Sequence, residues 1–401
     1  MNRITREFYH ATKPCYALFF GYWLLSSFEG YISGSLGAIS RYYIFALILF
    51  LLITAQRIQI TGAHIAIALW AIYYVASLLW SPHPEQGMIY FNSVIGMLVL
   101  LLLIMGMHFE KKFVDWCVRT MAHSSLILGI LGLFYSQPYY GWIQSRRVLT
   151  LFGVQLDPNN MVALYAYGVG LGLYYFFFKL DCKWYIRILY GIASCINIYN
   201  ILMCGSRSGI VVLVALVLIL LVFQPKYESK AKMFVMRILI VIAIVLLAAI
   251  LISYLPSEVW LRISGQEKNL SFLDSTGRTE RWLEGITLWW DTNFLFGCGW
   301  GAFECHGTFF TFLVDTGLIG IMLFGGFLVK IGLDCVKNRR TQALLIMAAG
   351  IIPGMLMGAQ NRRFFWNAII LPVMIINLYK EESHELFDTA CTTKDDGKGC
   401  L

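Results

Sequence analysis

Apolar residues fall along this chain in runs close to twenty long, separated by short breaks carrying Lys, Arg, Gly or Pro. A helix that crosses the hydrocarbon of a bilayer needs about 20 mostly apolar residues, so the pattern predicts membrane-spanning helices rather than the segments of a soluble core. Twelve runs stand out, near 15–34, 41–55, 62–81, 87–107, 113–135, 159–178, 184–203, 207–224, 237–255, 308–330, 341–359 and 364–379. Between 256 and 307 the pattern changes. There Trp282, Ile286, Trp289 and Trp290 repeat at i, i+4, i+7 and i+8, with Arg278, Arg281 and Glu284 on a polar edge. That periodicity predicts an amphipathic helix lying on the membrane surface with Trp as anchor. The expected fold is an all-α polytopic membrane protein of about 12 transmembrane helices. A single domain covers 1–380, its one long extracytoplasmic loop is 256–307, and the polar tail 381–401 is expected to be cytoplasmic and disordered.

Composition narrows where chemistry can sit. The chain has 401 residues, 59% hydrophobic and 13% charged, against about 25% charged in soluble domains. Almost nothing is left for a soluble catalytic domain, so reactive groups must lie on loops between spans. The ten Cys include no Cys-x-x-Cys pair and mostly lie in or beside apolar runs, which reads as small buried hydrophobes. Cys298 and Cys305 share the long loop and are the two placed to pair. The first run follows Arg3, Arg6 and Lys13, lacks a small-residue cleavage site and is followed at once by another run, so it is expected to be a retained helix.

Charge sets the orientation. With the N-terminus cytoplasmic, 21 of the 31 basic residues lie inside, 13 of them Lys, as the positive-inside rule requires. The other ten are Arg41, Arg146, Arg147, Arg207, Arg262, Lys268, Arg278, Arg281, Arg362 and Arg363, nine of them Arg. The overall mixture is 17 Arg to 14 Lys, so the outer face is enriched in guanidinium. Arg presents a planar fork that binds phosphate oxygens through two hydrogen bonds, whereas Lys is a hydrated point charge. The plainer alternative is that these side chains snorkel or pair with acids of their own loops.

Several outer junctions repeat one grammar. Gly205-Ser206-Arg207-Ser208-Gly209 opens the eighth run, with Ser206 as N-cap and Arg207 in the first turn, where the helix already presents partial positive charge. Arg278 and Arg281 open the long-loop helix in the same way. Asp157-Pro158-Asn159-Asn160 opens the sixth run as a cap followed by Pro at the first helical position, with Arg146 and Arg147 just upstream. Gly297-Cys298-Gly299-Trp300-Gly301 reads as a flexible segment leading to Glu304-Cys305-His306-Gly307 at the mouth of the tenth run. An imidazole there can accept a proton from a hydroxyl, although a lone His is more often structural.

These residues resemble the O-antigen ligase-like family of membrane glycosyltransferases, which includes WaaL ligases, Wzy-type polymerases and pilin oligosaccharyltransferases. The likeness covers the middle and C-terminal two thirds, in the order Leu79-Trp80-Ser81-Pro82, Gly153 to Asn160, Ser206-Arg207-Ser208-Gly209, Gly277-Arg278 before Trp282, Gly297 to Gly301, His306, and Gly317-Leu318-Ile319-Gly320. Each match is short; their order around the long loop is the more specific signal. The resemblance implies a GT-C-like enzyme of the bacterial cytoplasmic membrane, working on its outer face without metal or cofactor on a polyprenyl-pyrophosphate-linked glycan donor. The acceptor would be a glycan, a lipid or a protein, and no nucleic acid partner is expected. Arg207, Arg278 and His306 match the family's functional positions. The family usually has Asn after that His, where this chain has Gly307.

The chemistry expected from residues and resemblance together places Arg207, Arg278, Arg281, Arg146 and Arg147 on the donor pyrophosphate. His306 would be the base for the attacking hydroxyl, with Asp274, Glu280 or Glu304 able to replace or orient it. The rival class is a flippase or other polytopic transporter. Such carriers place ionisable residues near the bilayer midplane, and the runs here hold His64 and His123, with Glu29, Arg119 and Asp315 nearer their ends.

Overall fold

A computed structural model describes residues 11–36, 39–55, 58–139, 146–179, 182–225, 230–264, 266 and 277–378. The polar tail, Asp274, Lys268, Arg3 and Arg6 lie outside the described residues. The chain is almost wholly helical, as a bilayer demands, since a helix satisfies its backbone N–H and C=O groups internally. The N-terminal helices are α1 (Lys13–Leu36), α2 (Ile39–Thr54), α3 (Gly62–Ala76, continued by a 3-10 turn Ser77–Trp80), α4 (Pro84–Gly106) and α5 (Lys111–Tyr135). There follow α6 (Pro158–Phe178), α7 (Trp184–Met203), α8 (Arg207–Val222), α9 (Lys230–Ser253) and the short α10 (Ser257–Ile263). The last four are α11 (Arg278–Thr292), α12 (Thr308–Lys337), α13 (Thr341–Met355) and α14 (Arg363–Leu378).

Every one of the apolar runs lies on a helix. Seven helices among the described residues are long and apolar enough to cross a membrane, and four further apolar helices have 10–17 residues. The protein is therefore a multi-pass, all-α membrane protein. At its centre α6 is buried almost throughout and packs against α5, α7, α8 and α13. Small residues allow that approach: a Cβ at Gly168 would meet Ser125 Oγ at 2.8 Å, and one at Gly170 would meet Leu216 at 3.1 Å.

Hydrogen bonds gather alternate helix ends on one face. Trp300 N bonds Ser77 Oγ, directly after α3, Arg146 reaches Cys204 after α7, and Thr308 at the start of α12 bonds Met357 O after α13. Here the buried Arg363 at the start of α14 pairs with Glu29 at 3.1 Å. The opposite face joins other ends, as in Asn377 Nδ2 to Met105 O at 3.1 Å. Lys111, Lys179, Lys183 and Lys337 sit at helix ends on that second face, beside Arg339 and Arg340, so the lysines at these helix ends lie away from the first, arginine face.

The sequence did not predict a small antiparallel sheet on the arginine face, in the order β1 (Ser136–Pro138), β2 (Arg147–Leu151), β3 (Val154–Gln155). Pairing runs Gln137 to Val148 and Leu151 to Val154. The turn between β2 and β3 puts Phe152 and Gly153 at φ 52° and 74°, the left-handed pair of a two-residue hairpin. This sheet carries the chain from α5 to the cap of α6 and fixes Arg146 on the way.

Candidate functional site

Two helix starts meet at the middle of the arginine face. Asp157 caps α6, its Oδ1 accepting from Asn159 N at 2.8 Å. Ser206 occupies the N-cap position of α8 but makes no side-chain cap bond. Its hydroxyl donates instead to Asn159 Oδ1 at 2.6 Å and lies 2.7 Å from the Ser208 hydroxyl. The bond ties the start of α8 to the start of α6, so two N-terminal helix dipoles share one small area.

Three guanidiniums converge there. Arg146 is buried and donates from Nε to Cys204 O at 2.9 Å. Arg262 of α10, also buried, donates from Nε to Gly205 O at 3.0 Å. A Cβ on Gly205 would stand 3.2 Å from Arg262 and 3.4 Å from Arg146, so the two side chains bracket that turn. Arg278, half-buried at the first position of α11, donates to Leu356 O at 3.2 Å. Burial, then the neighbouring Arg262 charge, depress Arg146 from 12.5 to about 10, with Asp157 pulling the other way. Arg278 is lowered first by burial, with Asp157 opposing and Arg262 adding to the effect. The guanidiniums are thus held together against mutual repulsion, with the carboxylate of Asp157 opposing it.

The expected donor residues separate in space. Arg146 and Arg278 join the cluster, and Arg207 opens α8 directly after the bracketed turn. Arg147 is exposed and donates to Ser136 O at 2.9 Å within the sheet. Arg281 lies 4.0 Å from Glu284 and 5.3 Å from the Phe303 ring, on the solvated edge of α11. Arg262 takes a place that the sequence reading gave to Arg147 and Arg281; its signal was its membership of the outer arginine set.

His306 is exposed and adopts φ 51° at the entrance to α12. Its neighbours tie it to the cluster: Arg278 donates to Leu356 O, Thr308 Oγ1 donates to Met357 O at 3.0 Å, and a Cβ on Gly307 would lie 3.0 Å from Met355 O. The 355–357 turn thus holds Arg278 on one side and the His306–Thr308 segment on the other.

The segment 297–301 is clamped rather than flexible. Cys298 N bonds Val314 O at 2.7 Å, Gly299 N bonds Asp315 O at 3.0 Å, and Trp300 is buried, stacked on Tyr74 with centroids 4.3 Å apart. Gly299 and Gly301 have φ of 97° and 88°, and a Cβ on either would stand 2.5 Å from backbone, of Ser81 and Gly87 respectively. Only Gly fits. The same strap replaces helical bonds where α12 breaks at Gly317 (φ 63°): Leu318 N bonds Phe294 O at 3.1 Å. α11 lies over it, burying Trp289 and Gly285 against Cys305 and Val314, while Leu283 and Trp290 face outward. Both Cys298 and Cys305 are free thiols; burial, then the Asp315 and Glu304 charges, push Cys305 up to about 12.

Behind the cluster an apolar cavity of about 820 Å³ runs between α6, α7, α8 and α9 and reaches Trp260 and Ile263 of α10. Among the described residues no group of three or more His, Cys, Asp or Glu side chains is placed to hold a metal ion. No protein-family model matches the chain, and no curated protein matches its sequence.

Proposed function

We propose that this protein is a membrane glycosyltransferase that transfers or polymerises a glycan from a polyprenyl-pyrophosphate-linked donor. Its twelve helical runs all cross the bacterial cytoplasmic membrane, both termini are cytoplasmic, and the arginine face is extracytoplasmic. One observation carries the reading. Three guanidiniums and two helix starts, a site for a polyanion, stand beside an apolar cavity between α6, α7, α8 and α9, a site for a hydrocarbon chain. A diphosphate lipid has both parts. Arg262 and Ile263 are consecutive residues of α10, so one short helix serves the head and the tail.

In the reaction an acceptor hydroxyl attacks the anomeric carbon, the bond from that carbon to the phosphate oxygen breaks, and the diphosphate leaves on its lipid. Arg146, Arg262 and Arg278, with Arg207 beside them, stabilise the charge that grows on the leaving diphosphate. His306 takes the proton of the hydroxyl. The sequence resemblance to O-antigen ligases and glycan polymerases points to the same donor.

The transporter reading would use the break in α12 beside buried Asp315, but that carboxylate is held by Tyr74 OH at 3.2 Å and Gly301 N at 3.2 Å. Reconstitution with a defined polyprenyl-pyrophosphate glycan separates the two. Free lipid pyrophosphate with a lengthened or transferred glycan supports the transferase, and Arg278→Ala and His306→Ala abolish it at normal expression. Movement of the glycan across the bilayer with its linkage intact makes the protein a flippase.

A further inference from the structure

A second cavity, of about 340 Å³, opens on the other side of the 355–360 turn and is lined by His83, Gln86, Tyr90, Glu304, Asp315 and Gln360, with Trp300, Phe303 and Thr311 among the rest. That volume is at the small end of ligand clefts, roughly 300–1,000 Å³. Its polarity is opposite to that of the arginine cluster. The lining contains no Lys or Arg, and Gln86, Tyr90, Glu304, Thr311, Asp315 and Gln360 all carry side-chain oxygens. Gln360 is the informative one. The residue is 6% exposed, and its Oε1 accepts no hydrogen bond from the described residues, an unfavourable state that a ligand supplying the donor would relieve. Its backbone is held in place by Trp366 Nε1, which donates to Gln360 O at 2.9 Å. A Cβ at Gly358 would lie 3.0 Å from Glu304 Oε1 and 3.5 Å from Gln360 Oε1, so both oxygens border the same glycine.

The ligand must therefore bring hydrogen-bond donors and must not be an anion. A metal cation is disfavoured because the acids here do not form a group of three. We infer that the cavity binds an uncharged sugar ring, whose hydroxyls donate to Glu304 and Gln360 and whose apolar C–H face lies against Tyr90 and Phe303. This rests on the proposed transferase reading for its role: the sugar is the acceptor end, separated from the donor diphosphate by the 355–360 turn, to which the His306–Thr308 segment is bonded. Acidic acceptors on one side and cations on the other would sort the two substrates by charge.

The test is saturation-transfer NMR on the full chain in nanodiscs, with the methyl glycosides of glucose, galactose, mannose, rhamnose, N-acetylglucosamine and N-acetylgalactosamine. At least one should show saturated ring protons. Glu304→Gln, which removes a charged acceptor at an exposed position, should weaken its affinity about tenfold or more. Gln360→Leu should do likewise in protein of unchanged melting temperature, and Arg278→Ala should leave saturation intact. Saturation by none of the six, or saturation that neither Glu304→Gln nor Gln360→Leu reduces, overturns the proposal. Inorganic pyrophosphate, titrated separately, reports on the donor reading: glycoside binding without pyrophosphate binding keeps the sugar cavity and removes the transferase.

Discussion

Arg278→Ala removes a guanidinium whose anchor, Leu356 O, lies on the turn beside His306. The magnitude follows from the electrostatics of the arginine cluster. Arg146 is depressed from 12.5 to about 10, and at about 1.4 kcal/mol per tenfold this is about 3 kcal/mol of strain in keeping it charged. The sign is that of a base lowered on folding: the strain is full below pH about 10 and fades as pH rises from there towards the unfolded value. A dianion relieves it. Inorganic pyrophosphate at a hundred times its Kd should stabilise wild type by about 2.7 kcal/mol, seen as a rise in Tm by scanning fluorimetry in detergent. Loss of one charge-assisted bond, about 1.5–3 kcal/mol, weakens Kd roughly ten- to hundredfold. With a loss of about thirtyfold, the same pyrophosphate concentration stabilises Arg278→Ala by only about 0.9 kcal/mol. Equal shifts in the two proteins, or none in wild type, would refute the assignment of this cluster to a diphosphate.

Other outcomes follow from the same geometry. Arg147→Ala and Arg281→Ala, both exposed and bonded away from the cluster, should leave pyrophosphate affinity within about threefold, as solvated pairs do; isothermal titration checks this. Pyrophosphate affinity should fall above pH about 10, the direction set by loss of the Arg146 proton; affinity that stays level well above that pH would point to a different group. Gly301→Ala should cost at least about 1–3 kcal/mol through backbone strain alone, before its contact with Gly87 N; unchanged Tm would mean the strap is loose. His306→Ala should abolish transfer while pyrophosphate still binds, read by the two assays side by side.

Much of this architecture was legible because hydrophobic length survives in sequence without knowledge of neighbours. All the apolar runs became helices, and the Trp282 to Trp290 periodicity became α11. What that periodicity could not say was what the apolar face meets: it packs on α12 through Gly285, where a Cβ would strike Cys305. The three-stranded sheet escaped notice because strands of two to five residues show no alternation. The cluster was half legible. Arg278 and Arg207 announced themselves by sitting at helix starts, but Arg262 sits in a seven-residue helix with no motif and was fixed only by its bond to Gly205 O. Gly297 to Gly301 read as a hinge because glycines permit motion; here they permit contact, and hydrogen bonds to α12 hold the segment.

The most direct test of the central claim is a cryo-electron microscopy map of the protein in nanodiscs with polyprenyl pyrophosphate added. The account predicts diphosphate density between Arg146, Arg262 and Arg278, continuing as a tail between α7, α8 and α9. Diphosphate density elsewhere, with those three guanidiniums still bonded to Cys204 O, Gly205 O and Leu356 O, would contradict it.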